Sequence, residues 1–67
     1  MQGNLLLEQF SVGDRIELAP HVDRWIRGDR YGEIVKIGGR FLHVLMDRSE
    51  KVLYVVPENV GRKLDEK

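Results

Sequence analysis

Short runs in which apolar and polar residues alternate cover most of this chain, and each run stops at a glycine, a proline or a charged turn. Ile16 and Leu18 alternate with Arg15 and Glu17, and Leu42, Val44 and Met46 alternate with Phe41, His43 and Leu45. A period of two puts successive side chains on opposite faces of a β-strand, whereas a helix would repeat its apolar positions every three to four residues. The first run opens at Val12-Gly13-Asp14-Arg15-Ile16, with a turn at Gly13-Asp14, and Pro20 stops it because proline has no backbone N–H to donate. A second strand is expected over about Tyr31–Ile37, where Ile34, together with Val35 and Ile37, faces inward and Glu33 and Lys36 face outward. Val35 and Ile37 break strict alternation there, which predicts a bulge. Gly38-Gly39 reads as a type I′ hairpin turn, since both glycines tolerate positive φ. Arg40–Asp47 is the third strand and Val52–Val56 the fourth. Pro57-Glu58-Asn59 forms a short helical corner before a closing strand at Val60–Leu64.

The 67 residues allow one domain, with an N-terminal arm over 1–9, the strands over 10–64 and a tail at 65–67. A core of this size supplies about 3–5 kcal/mol of net stability, and with no cysteine neither a disulfide nor a thiolate zinc site adds to it. Shared apolar surface in an oligomer would. Leu5-Leu6-Leu7 is too short for a signal peptide, and no run approaches the length of a membrane span. The expectation is a cytoplasmic chain with no membrane association.

Eleven basic and eleven acidic side chains balance overall, so avid non-specific attraction to nucleic acid is not expected. Their distribution is uneven. Residues 1–20 hold Glu8, Asp14 and Glu17 against Arg15, and residues 21–40 hold five cations against Asp23, Asp29 and Glu33. The cations concentrate between Ala19 and Tyr31, a stretch without periodicity. Long loops in small domains are frequently functional. Here Arg24, Arg27 and Arg30 interleave with Trp25 and Tyr31. Arginine makes bidentate bonds to phosphate, and aromatic rings stack unpaired bases. The competing expectation is that Trp25 and Ile26 fold back as a lid over one open end of a barrel formed by the strands, while the arginines pair with Asp23 and Asp29.

Val12-Gly13-Asp14-Arg15-Ile16, Gly32-Glu33-Ile34-Val35, Val44, Asp47 and Pro57-Glu58-Asn59-Val60 together resemble the Src-homology-3-like (SH3-like) barrels of bacteria. That group includes KOW modules, Tudor-like domains, a small photosystem subunit and the plasmid-borne type of dihydrofolate reductase. The resemblance spans about residues 10–64. It implies an all-β, five-stranded, partly open antiparallel barrel, with a long loop after the first strand and a short helical turn before the last. It also implies that the long loop lies beside the ligand surface. The fold hosts unrelated activities, so the residues must decide among them. The reductase places a Val-Gln-Ile-Tyr run in its fourth strand. Val52-Leu53-Tyr54-Val55 lacks that glutamine. Gly32-x-Ile34 suits a KOW module, although the neutral charge does not. A Tudor-like cage would require Trp25, Tyr31, Phe41 and Tyr54 to converge.

A second candidate surface is the strand face carrying Phe41, His43, Leu45 and Tyr54, which is too apolar for full solvation. The arginine loop, the Leu5-Leu6-Leu7 arm, a second copy of the chain or another protein would cover it. His21 and His43 have no metal-ligand spacing, Ser11 and Ser49 sit at turns, and the acids are scattered. The expectation is therefore a non-catalytic recognition module with no cofactor and no metal. Its first-choice ligand is nucleic acid or a nucleoprotein, held by Arg24, Trp25, Arg27, Arg30 and Tyr31, with Arg40 extending the patch. The alternative is a protein-interaction or self-assembling subunit using Leu5, Leu6, Phe41, Leu45 and Tyr54. A remote third is an oligomeric enzyme with its site on a symmetry axis.

Overall fold

A computed structural model describes residues 9–64. The strands are β1 (Arg15–Leu18), β2 (Tyr31–Gly38), β3 (Phe41–Met46), β4 (Val52–Val55) and β5 (Val60–Leu64). All pairs are antiparallel, in the order β4-β3-β2-β1-β5, so the sheet is open between β4 and β5. Loop 19–30 lies between β1 and β2, and a 3-10 turn at Pro57–Asn59 precedes β5. The Leu5-Leu6-Leu7 arm and the 65–67 tail lie outside the described residues.

One face of every strand goes into a single core. Ile16, Ile34, Leu42 and Val44 are fully buried, and Leu18 and Met46 nearly so. Val55 of β4 and Val60 of β5 join the same cluster although they belong to opposite edges of the sheet. The sheet is thus coiled round its own apolar face. Extents of 27 × 26 × 24 Å agree with this, since a flat sheet would be far thinner in one direction.

Two local features produce the coil. In β2 the pairing slips between Ile34 and Lys36, so Ile34 stays buried while Val35 and Lys36 both face solvent. This is the expected bulge; Ile37 packs against the core as expected, but Val35, expected inward, is turned to solvent by the extra residue. At Gly32, inside the β1–β2–β3 pairing, the backbone lies so close to β3 that a Cβ would stand 2.6 Å from Val44 Cγ1 and 2.8 Å from the Leu45 carbonyl oxygen. Only glycine permits that approach.

Two local expectations differ from what forms. Gly38 pairs with Phe41, so the two-residue turn is Gly39-Arg40, and only Gly39 has positive φ (55°). That is the pattern of a type II′ turn rather than the type I′ turn expected over Gly38-Gly39. Loop 19–30, expected to lack regular structure, contains one short helix, α1 (Asp23–Ile26). Gly28 at φ 100° ends it, with its N–H donating to the Trp25 carbonyl at 3.0 Å. Among the described residues no helix is long and apolar enough to cross a membrane.

Candidate functional site: an outer sheet face and an arginine loop

The strand register maps the outer face row by row. Arg62 (β5), Glu17 (β1) and Tyr31 (β2) lie side by side, and the next row is Leu64, Arg15, Glu33, Leu45 and Val52. Beyond the bulge come Lys36, His43 and Tyr54. Charge therefore gathers over β5 and β1, where Arg62 Nε donates to Glu17 Oε1 at 2.9 Å and Arg15 pairs with Asp47. Apolar and aromatic groups gather over β3 and β4.

On that apolar half, Leu45 is 39%, Phe41 40%, Val52 47% and Tyr54 68% exposed, so four large side chains of adjacent strands share solvent. Their rings touch: the Tyr54 centroid is 4.4 Å from His43 and 6.4 Å from Phe41, both tilted. Val35, at the bulge, is exposed as well. Beside Leu45 and Met46 an open groove of about 440 Å³ is bordered by Glu33, Asp47 and Glu50. A smaller cleft of about 210 Å³ lies between β4 and loop 19–30, lined by Leu53, Tyr54, Val22 and Arg24 among others.

The arginine loop is internally engaged. Trp25 packs against the core, and its indole N–H donates to Glu17 Oε2 at 3.1 Å. The Arg30 guanidinium stacks 3.8 Å from the centroid of the same ring, and Arg30 Nε donates to the Trp25 carbonyl at 3.0 Å. Trp25 thus folds back onto the core, as the lid expectation required of it, whereas Ile26 does not and is 64% exposed. Arg24 lies 3.6 Å from Asp29, and Arg27 lies 3.7 Å from Asp23, the pairing expected for the two arginines. Asp29 is buried; its Oδ1 accepts the Ser49 N–H at 3.4 Å, which links the loop to the β3–β4 turn. The hydrogen bond from Trp25, reinforced by that from Arg62, holds the Glu17 carboxyl below its usual range.

The candidate residues fall into two groups. Arg24, Trp25, Arg27, Arg30 and Tyr31 share the loop and the start of β2, and Tyr31 is exposed. Arg40 sits in the turn at the far end of the β2–β3 hairpin, on the order of 20 Å from Tyr31 at ~3.3 Å per strand residue. It does not adjoin the loop, and its neighbour in the chain is Phe41. Phe41, Leu45 and Tyr54 come together on the outer face, while Leu5 and Leu6 lie outside the described residues. Trp25 packs on the core beneath Arg30, whereas Phe41 and Tyr54 meet over β3 and β4, so the four aromatics do not form one cage. His21 bonds Asn59 at 3.2 Å and His43 stacks on Tyr54, placing the two histidines in separate settings. Val52, across from Leu45, also joins the face, and its place two residues before Tyr54 in one strand is the sequence signal for it. No protein-family model, curated protein or solved structure matches the chain.

Proposed function

We propose that this chain is a non-catalytic SH3-like recognition module that binds a protein partner through the outer face of β3 and β4. The observation that carries this reading is the contiguous exposure of Phe41, Leu45, Val52 and Tyr54 on neighbouring strands. Contiguous apolar patches on small domains mark interaction sites far more often than scattered apolar residues do. Aromatic side chains also supply much of the energy at protein interfaces.

Nucleic acid is the second reading. It is favoured by the Arg27 side chain, 74% exposed and, among the described residues, ion-paired with a similarly exposed Asp23. Such surface pairs are weak, so phosphate can displace the carboxylate. Stacking is where this reading loses support. One side of Trp25 packs on the core and Arg30 covers the ring, leaving Tyr31 as the exposed aromatic of the loop.

A photocrosslinking amino acid placed at Leu45, and separately at Arg27, separates the two. Protein adducts from position 45 with none to nucleic acid from position 27 are expected. Nucleic-acid adducts from position 27, with position 45 silent, would overturn the proposal.

A further inference from the structure

The open sheet leaves β4 and β5 as edges, and the two differ in kind. Natural edges are kept from pairing with other chains by charges, prolines, glycine irregularities and bulges. β5 has such devices: Gly61, Arg62 and Lys63 lie within it, and its register with β1 shifts between Glu17 and Leu18. β4 reads Val52-Leu53-Tyr54-Val55, with no charge, proline, glycine or register shift. Among the described residues no strand lies beside its outer edge.

The phase of the β3–β4 ladder fixes which main-chain groups that edge presents. Met46 N–H donates to the Lys51 carbonyl at 2.9 Å, and these residues fall in the same register as Val44↔Leu53 and Leu42↔Val55. Antiparallel pairs alternate between hydrogen-bonded and non-hydrogen-bonded. Leu53 and Val55 therefore turn their amides and carbonyls toward β3, while Val52 and Tyr54 turn theirs outward. The close stacking of His43 on Tyr54 fits a non-hydrogen-bonded pair, where side chains approach most closely.

The geometry points to a second copy of this chain as the occupant of the edge, with two β4 strands antiparallel about a two-fold axis at Leu53. The inference rests on reading the outer face as an interaction surface, and it names the partner. In that register Val52 faces Tyr54 of the second copy and Tyr54 faces its Val52, so the outward amides and carbonyls of these residues satisfy one another. Residues opposite in a sheet share a face, so each Val52 lies beside a Tyr54 on the outside and the two apolar patches become one. Both edge residues are apolar, and the chain's formal net charge of zero sets no long-range repulsion against self-association. A two-fold contact also closes on itself, so the edge is consumed rather than propagated.

The test uses the intact protein in two ways. In the first, mass is followed by light scattering and amide exchange by NMR across a dilution series. The expected result is a mass twice the 7.8 kDa chain at high concentration. The Val52 and Tyr54 amides should slow by at least about tenfold relative to the dilute sample. In the second, the chain has no cysteine of its own, so Leu53→Cys introduces one probe. It should oxidise to a covalent dimer, because residues opposite one another in a non-hydrogen-bonded pair are close enough for a disulfide. Val55→Cys should not.

Doubling of mass with both amides exchanging freely would overturn the edge pairing and leave the outer-face reading standing. A single-chain mass at every concentration, with Leu45 adducts to another protein, would overturn the second copy alone. Slow Val52 and Tyr54 amides at single-chain mass would also overturn it, the edge then being covered from within the same chain. Neither self-association nor a protein adduct would remove both readings.

Discussion

The indole N–H of Trp25 donates to the Glu17 carboxylate at 3.1 Å, tying the long loop to the outer face of β1. Eight residues separate the two in sequence, and the bond forms because α1 turns the tryptophan back over the sheet. With Arg30 stacked on its ring, the most conspicuous aromatic of the chain is spent on structure. The exposed rings that touch one another, Phe41 and Tyr54, lie instead on β3 and β4.

That bond makes loop docking sensitive to acid. The Glu17 carboxyl is held below its ordinary value of 4.5 by Trp25 first and Arg62 second. A group depressed in the folded state stabilises fully above its unfolded value and loses that contribution as pH falls through the folded one. Stability should therefore decline below about pH 4.5 more in the native protein than in Glu17→Gln. The single tryptophan reports it directly: its fluorescence should titrate in this range in the native chain and not in Glu17→Gln.

Gly32 is the position at which the smallest change should do most harm. A methyl group there meets Val44 Cγ1, the Leu45 carbonyl and Met46 Sδ at 3.0 Å or less, and one of those atoms is backbone. Gly32→Ala should cost about 2–3 kcal/mol, as overpacking typically does. Urea unfolding should show a lowered midpoint with an unchanged slope.

The β2–β3 turn offers a test between neighbouring glycines. Gly39 carries φ 55°, whereas Gly38 has no positive φ and only an ordinary contact with His43. Gly39→Ala should cost about 1–2 kcal/mol. Gly38→Ala should be within ~0.5 kcal/mol of the native protein by the same urea titration. Equal costs at both would favour a type I′ turn over Gly38-Gly39.

Substitutions on the two sheet faces should separate stability from association. Ile34→Ala removes a fully buried side chain and should cost about 2–4 kcal/mol. Tyr54→Lys, on a residue 68% exposed, should change thermal stability little while abolishing the mass increase on concentration. Retained association in Tyr54→Lys would move the interface off β4.

The strands were legible because their buried positions alternate: Ile16 and Leu18, then Leu42, Val44 and Met46, are the residues that reach the core. The bulge in β2 was also readable, since Ile34-Val35-Lys36-Ile37 cannot alternate strictly. What escaped depends on contacts distant in sequence. A four-residue helix is too short to show a period, so α1 was hidden in the loop. Neither the Glu17 bond to Trp25 nor the crowding at Gly32 leaves a local pattern. Two adjacent glycines do not reveal which one bends, so sequence alone places the turn over Gly38-Gly39 where the structure has Gly39-Arg40. Glu50 at φ 61° in the β3–β4 turn had no composition signal, since glutamate rarely adopts that conformation. The arginines of the loop looked available because sequence does not show that Arg30 would stack on Trp25.

The most direct test is a set of amide NMR spectra recorded over a concentration series, then repeated at low concentration with a single-stranded oligonucleotide. Concentration should shift Phe41, Leu45, Val52 and Tyr54, and the oligonucleotide should leave Arg24, Arg27 and Arg30 unmoved. Oligonucleotide-induced shifts confined to Arg24–Tyr31, with the outer face unmoved at every concentration, would contradict self-association through the sheet face and return the arginine loop to first place.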